Sequence, residues 1–212
     1  MEQLTPRLFT IWMLDLFNIL HDCVESLDYW ERVSRRDHST RMFNSLSIGL
    51  HIKFTNQFVL VTQLAKVYSQ GSDQEHSLPK LLSAIHREIE DPWFERLLDE
   101  PTFGSSRKWS TADDVREYIR VSKQQIKKHR RLISEIEDTR NNFTAHTFAT
   151  HGKRKRVPEA PGFHVRELRA LTNLALRIHA TIWREIGGPP NPLTSDVHRL
   201  DSLIKEYHDG LG

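Results

Sequence analysis

The chain holds a single cysteine, Cys23. That excludes an intramolecular disulfide and points to a reducing compartment. Long hydrophobic runs are missing as well. The apolar start from Leu8 to Leu20 is interrupted by Asp15 and Asn18, follows Glu2 rather than a basic cluster, and is too short to span a bilayer. A cytoplasmic protein without a membrane partner is therefore expected. No glycine-rich phosphate loop and no nucleophile elbow occurs. No set of His, Cys and carboxylates has a metal-ligand spacing, so neither a metal nor a cofactor is expected. Charge of one sign is not in excess: the net charge is only +2, and nucleic-acid binding would have to come from local patches. Strand-like alternation bounded by turn residues is absent, which leaves an all-α chain.

What is present is apolar residues at spacings of three and four. Leu8, Trp12, Leu16, Ile19, Leu20, Val24, Leu27 and Trp30 predict a first helix to about Arg36. Phe43, Leu46, Leu50, Phe54, Phe58, Val61, Leu64 and Val67 predict a second, stopped near Gln70-Gly71. Ser77-Leu78-Pro79 opens a shorter helix to about Glu90, with Pro79 tolerated in the first turn. Residues 91–110 read as an irregular connection with a short helix around Trp93 to Leu98. Ser110 or Thr111 then caps the longest helix, favoured at its start by Asp113 and Asp114 and running to about His146. Gly152 to Gly162 reads as a loop, and a further helix runs from about His164 to Ile186. Residues 1–188 are taken as one helical domain. Residues 189–212 are taken as a Pro-rich linker and a last helix, roughly Thr194 to Tyr207, packed on the domain or on a partner. Trp12, Trp30, Trp93, Trp109 and Trp183 suit core or interface anchors, and Cys23 suits packing.

One residue on the longest helix is out of place. Its apolar face runs through Val115, Ile119, Ile126, Ile133, Ile136 and Phe143, and Arg140 falls on that stripe between the last two. A permanent charge on a packing face is costly unless it is paired or lines a polar cleft. Arg140 is followed by Asn141, and His146 stands six positions on. Arginine brings a planar fork of donors that fits a phosphate, and histidine moves a proton near neutral pH. Together with an amide, these are parts able to cut RNA without a metal. Six helical residues are about 9 Å of rise and about 120° short of two turns, so Arg140 and His146 do not share a face. They converge if the helix loosens near its end, or if two copies share one cleft.

An arginine, a polar residue and a histidine near the end of a long helix in an all-helical chain resemble the HEPN superfamily (higher eukaryotes and prokaryotes nucleotide-binding domain). The aromatic-rich first helix, the second around Ile48 to Tyr68, the helix start from Ser77 to Leu82 and the late helix are similar to its abortive-infection branch, over about residues 5 to 186. The resemblance implies an antiparallel helical bundle forming a symmetric homodimer through the motif-bearing helix. It implies an endoribonuclease of bacterial defence or of a toxin–antitoxin pair, with an antitoxin or regulator as a further partner. Arg140 would hold the scissile phosphate, His146 would act on the 2′-hydroxyl or the leaving oxygen, and Asn141 would orient the imidazole or the substrate. Attack by the 2′-hydroxyl would leave a 2′,3′-cyclic phosphate. Some relatives carry a tyrosine, a target for modification, two positions after the histidine; Phe148 stands there in this chain.

Lys123, Lys127, Lys128, Arg130 and Arg131 make one side of the long helix basic, and RNA phosphates would meet this strip, Lys127 and Arg131 included, together with Lys153, Arg154, Lys155 and Arg156 in the loop after it. The alternative for such charge runs is a solvated face. Two other readings stay open: a non-catalytic helical module that binds RNA or protein, and a dimeric scaffold in which Arg140 is an interface ion pair with Glu137 or Asp138 of a neighbouring chain.

Overall fold

A three- and four-residue apolar spacing makes each helix one-sided, and the computed structural model shows which sides meet. It describes residues 4–33, 47–71, 74, 76–99, 109–149 and 162–186, with the backbone alone at 47–50, 52, 97, 99 and 143–149. Among the described residues the chain is all-helical, with seven helices and no strand. These are α1 (Pro6–Val33), α2 (Ser47–Tyr68), α3 (Leu78–Glu88), α4 (Pro92–Asp99), α5 (Ala112–Lys128), α6 (Arg130–Ala149) and α7 (Val165–Ile186). The last helix expected from Thr194 to Tyr207 lies outside the described residues.

The core is built where α1 meets α2 and α7. Trp12, Leu16, Leu20, Cys23 and Leu27 of α1 are buried, with Leu60, Leu64 and Val67 of α2 and Leu171, Ala175, Ile178 and Ile182 of α7. Two buried polar groups tie these layers together. The Tyr68 hydroxyl donates to the Leu171 carbonyl at 2.7 Å. His179 Nε2 donates to the Met13 carbonyl at 2.9 Å, and burial pushes the imidazole pKa down, which favours the neutral ring. Burial likewise pushes the Cys23 thiol up, out of reach of thiolate chemistry, so the residue packs as its sequence setting suggested.

Local chemistry sets the helix ends. Thr111 caps α5 through a capping box: its side chain accepts from the Asp114 amide, and the Asp114 carboxylate accepts from the Thr111 amide. Pro79 lies in the first turn of α3 as expected, and Ser77 is its N-cap residue, though the Ser77 side chain makes no capping hydrogen bond. The Ser77 hydroxyl donates to the Ser69 carbonyl at 2.6 Å instead, stapling the end of α2 to the start of α3.

The expected single helix from Thr111 to His146 is divided at His129. Its backbone stands at φ −99°, ψ 11°, and its N–H donates to the carbonyls of Ile126 and Lys127, ending α5. Its own carbonyl accepts from Ile133 at 3.0 Å, starting α6. Two causes coincide here. Lys127-Lys128-His129-Arg130-Arg131 stacks like charges at helical neighbour spacing, which weakens a helix. The two halves also pack differently: α5 lies on α3 and α7, whereas α6 lies on α2.

The capping box generates a stability prediction. Thr111→Ala should cost about 1 kcal/mol in denaturant unfolding. Four hydrogen bonds from Ser110 and Thr111 hold the Asp114 pKa below the usual aspartate value. Its contribution is therefore present above the unfolded-state pKa and is lost as pH falls through the lower folded one. The difference between wild type and Asp114→Asn should begin to shrink below about pH 4 and disappear only below the lower folded-state value.

Candidate functional site

The site begins with the seating of α6 on α2. Ile133 and Ile136 are buried, whereas Ser134, Glu135 and Asp138 are exposed. Arg140 comes seven residues after Ile133, about 20° short of two full turns, and so lies on the same face. Its side chain is half-buried, at the edge of the packed stripe. Asn141, exposed beside it, accepts from the guanidinium through Oδ1, at 3.2 Å from Nε and 3.0 Å from Nη2. The amide thus orients the arginine fork in this chain. The pair presents an oriented cation where the apolar face ends.

The helical backbone alone fixes how Arg140 and His146 stand to each other. α6 runs unbroken through Ala149, so their separation stays at about 9 Å of rise and a third of a turn. Loosening of the helix before His146, one of the two expected routes to convergence, is closed. The His146 side chain and Lys153, Arg154, Lys155 and Arg156 lie outside the described residues.

Of the helix cations expected at RNA, Arg131 is exposed and paired with Glu135 at 2.9 Å. Lys127 instead lines a cleft of about 670 Å³ with Lys80, Lys123 and Arg130, over a floor that includes Tyr68, Ile126 and Ile133. The sequence reading had found the cationic side of the long helix but not Lys80. That residue comes from α3, and no local pattern links it to α5. Among the described residues, no three His, Cys or carboxylate side chains form a group able to hold a metal, and no helix is long and apolar enough to cross a membrane.

A protein-family model described as AbiU2, of HEPN type, matches residues 50–209. The chain belongs to the HEPN AbiU2 family. No curated protein and no solved structure matches it. The family span begins within α2, takes in the Arg140–His146 run, and extends beyond α7 to residue 209. In this AbiU2-family chain α1 therefore precedes the matched span while supplying a large share of the core around it.

If the Arg140–Asn141 pair serves chemistry rather than packing, removing it should leave the fold intact. Arg140→Ala and Asn141→Ala should each keep stability within about 0.5 kcal/mol of wild type in urea unfolding. Ile136→Ala, about one turn before Arg140 on the buried side, should cost roughly 2–5 kcal/mol. A loss in Arg140→Ala as large as that of Ile136→Ala would make Arg140 a structural residue.

Proposed function

We propose that this HEPN AbiU2 protein is a metal-independent endoribonuclease that acts as a symmetric homodimer in bacterial defence or a toxin–antitoxin pair. The observation that carries the reading is the Arg140 fork, oriented by Asn141 at the edge of a packing face. In the reaction the ribose 2′-oxygen bonds to the adjacent phosphorus and the P–O5′ bond breaks. The products are a 2′,3′-cyclic phosphate and a 5′-hydroxyl. Arg140 stabilises the charge that builds on the phosphoryl oxygens. His146 accepts the 2′-proton or donates one to the leaving 5′-oxygen. DNA, lacking the 2′-hydroxyl, resists. Lys127 and the Lys153 to Arg156 run hold neighbouring phosphates, and Arg131 joins them only if it leaves Glu135.

Two observations support a second copy at the site. An unbroken α6 keeps Arg140 and His146 of one chain on different faces, and a partner's helix can supply the missing group. α2, the helix that α6 packs on, carries apolar residues beyond its buried side, with Phe54 about half exposed and Phe58 also exposed. A helix that is apolar on several sides is normally covered on several sides. An antitoxin or other regulator that covers this surface would hold the enzyme in check.

With excess EDTA present, wild type should cut total RNA or tRNA and leave cyclic-phosphate or 3′-phosphate ends. Arg140→Ala and His146→Ala should each lower the rate by at least about a hundredfold, the scale of a lost general acid–base or charge-stabilising group. Gel analysis with end-group mapping reads this directly. RNA binding with no cleavage, in wild type and variants alike, would instead identify a binding module.

A further inference from the structure

The cleft at the α5–α6 junction gathers four cations, Lys80, Lys123, Lys127 and Arg130. Elsewhere on α5–α7 four arginines are matched to carboxylates: Arg116 with Glu90 and Asp113, Arg120 with Glu117, Arg131 with Glu135, and Arg169 with Glu31. No lining residue of the cleft is acidic, and among the described residues no salt bridge joins Lys123, Lys127 or Arg130 to a carboxylate. Lys80 donates to the Gly71 carbonyl at 2.7 Å and to the Gln74 carbonyl, which orients its ammonium without neutralising it.

Helix electrostatics explain only part of this cluster. Lys127 stands in the last turn of α5, where a cation is favoured. Lys80 and Arg130 stand in the first turns of α3 and α6, where a cation is disfavoured. Like charges crowded at such positions are relieved when an anion occupies the space between them. The three cations of the α5–α6 run are also spread along the helix axis rather than converged on a point. From Lys123 to Arg130 the rise is about 10 Å, a layout suited to a succession of phosphates.

The cleft and the motif residue are also on one line. Ile133 lines the cleft and shares a helix face with Arg140, about 10 Å farther along the axis. We propose that this cleft is a backbone-binding site for single-stranded RNA, with Lys80, Lys123, Lys127 and Arg130 holding phosphates of the strand that leads to Arg140. The inference rests on the ribonuclease reading for the identity of the strand, and its test is independent of cleavage.

The test uses the full chain in the His146→Ala background and follows anisotropy of a labelled single-stranded RNA across a salt series. Lys123→Gln/Arg130→Gln should weaken binding about tenfold and lower the salt slope by about 1.4, two contacts at roughly 0.7 each for a single strand. Arg116→Gln/Arg120→Gln removes the same charge outside the cleft and should change neither. Lys127→Glu supplies a second perturbation should the first pair disturb the fold, and it should weaken binding at least as much. Unchanged affinity and salt slope in both cleft variants would overturn the proposal. Wild-type binding of inorganic tripolyphosphate without binding of RNA would overturn it too, in favour of a small polyanion. RNA binding through the cleft by a protein that never cleaves would support this site while sinking the ribonuclease reading. Cleavage by enzyme with His146 intact, with an unchanged KM in the cleft variants, would sink this site alone.

Discussion

The seating of Ile133 and Ile136 on α2 constrains everything that follows in the motif helix. Once those two side chains are buried, helical geometry decides where each later residue goes. Arg140 comes to the edge of the packed face, half-buried. Asn141 falls beside it and takes its guanidinium. His146, on a helix that stays wound through Ala149, is carried to a different face. A charge held at the rim of a core is costly in isolation, and it becomes useful where a phosphate or a partner chain completes its surroundings.

The same constraint separates the two kinds of cation on this surface. Arg116, Arg120, Arg131 and Arg169 sit beside carboxylates and behave as an ordinary solvated surface. Lys123, Lys127 and Arg130 lie where α5 gives way to α6, facing Lys80 across a cleft without acidic residues. The break at His129 belongs to this arrangement. By ending α5 on its side of the cationic run and starting α6 on the other, it turns a charged stripe into one wall of a concavity.

Much of the fold was legible in the sequence because its signals are local. Apolar spacing found α1, α2, α3 and α7 within a few residues, Thr111 with Asp114 marked the start of α5, and Pro79 marked the first turn of α3. The break at His129 was missed because periodicity continues across it: Ile126 and Ile133 are both buried on what reads as one stripe. The like-charge run from Lys127 to Arg131 weakens the helix there, and the change of packing partner from α3 and α7 to α2, which no sequence pattern shows, coincides with it. Ser77 was read as part of a helix start by type, but its hydroxyl is engaged by the Ser69 carbonyl, a contact between segments. For the site, position on the apolar face was enough to single out Arg140. The hydrogen bonds from Arg140 to Asn141 and the entry of Lys80 into the cleft depend on side-chain geometry and on a second helix, and neither has a sequence period.

The central claim is that one protomer's Arg140 works with the other's His146. Mixing purified Arg140→Ala and His146→Ala chains under conditions that allow subunit exchange tests it directly. In a mixed dimer one cleft receives both intact groups and the other receives neither. Random exchange should then restore about a quarter of the wild-type cleavage rate from two inactive proteins, because half of the dimers are mixed and half of their clefts are whole. No activity in a mixture shown to contain mixed dimers would place both groups in one chain, or remove them from catalysis, and would contradict the account.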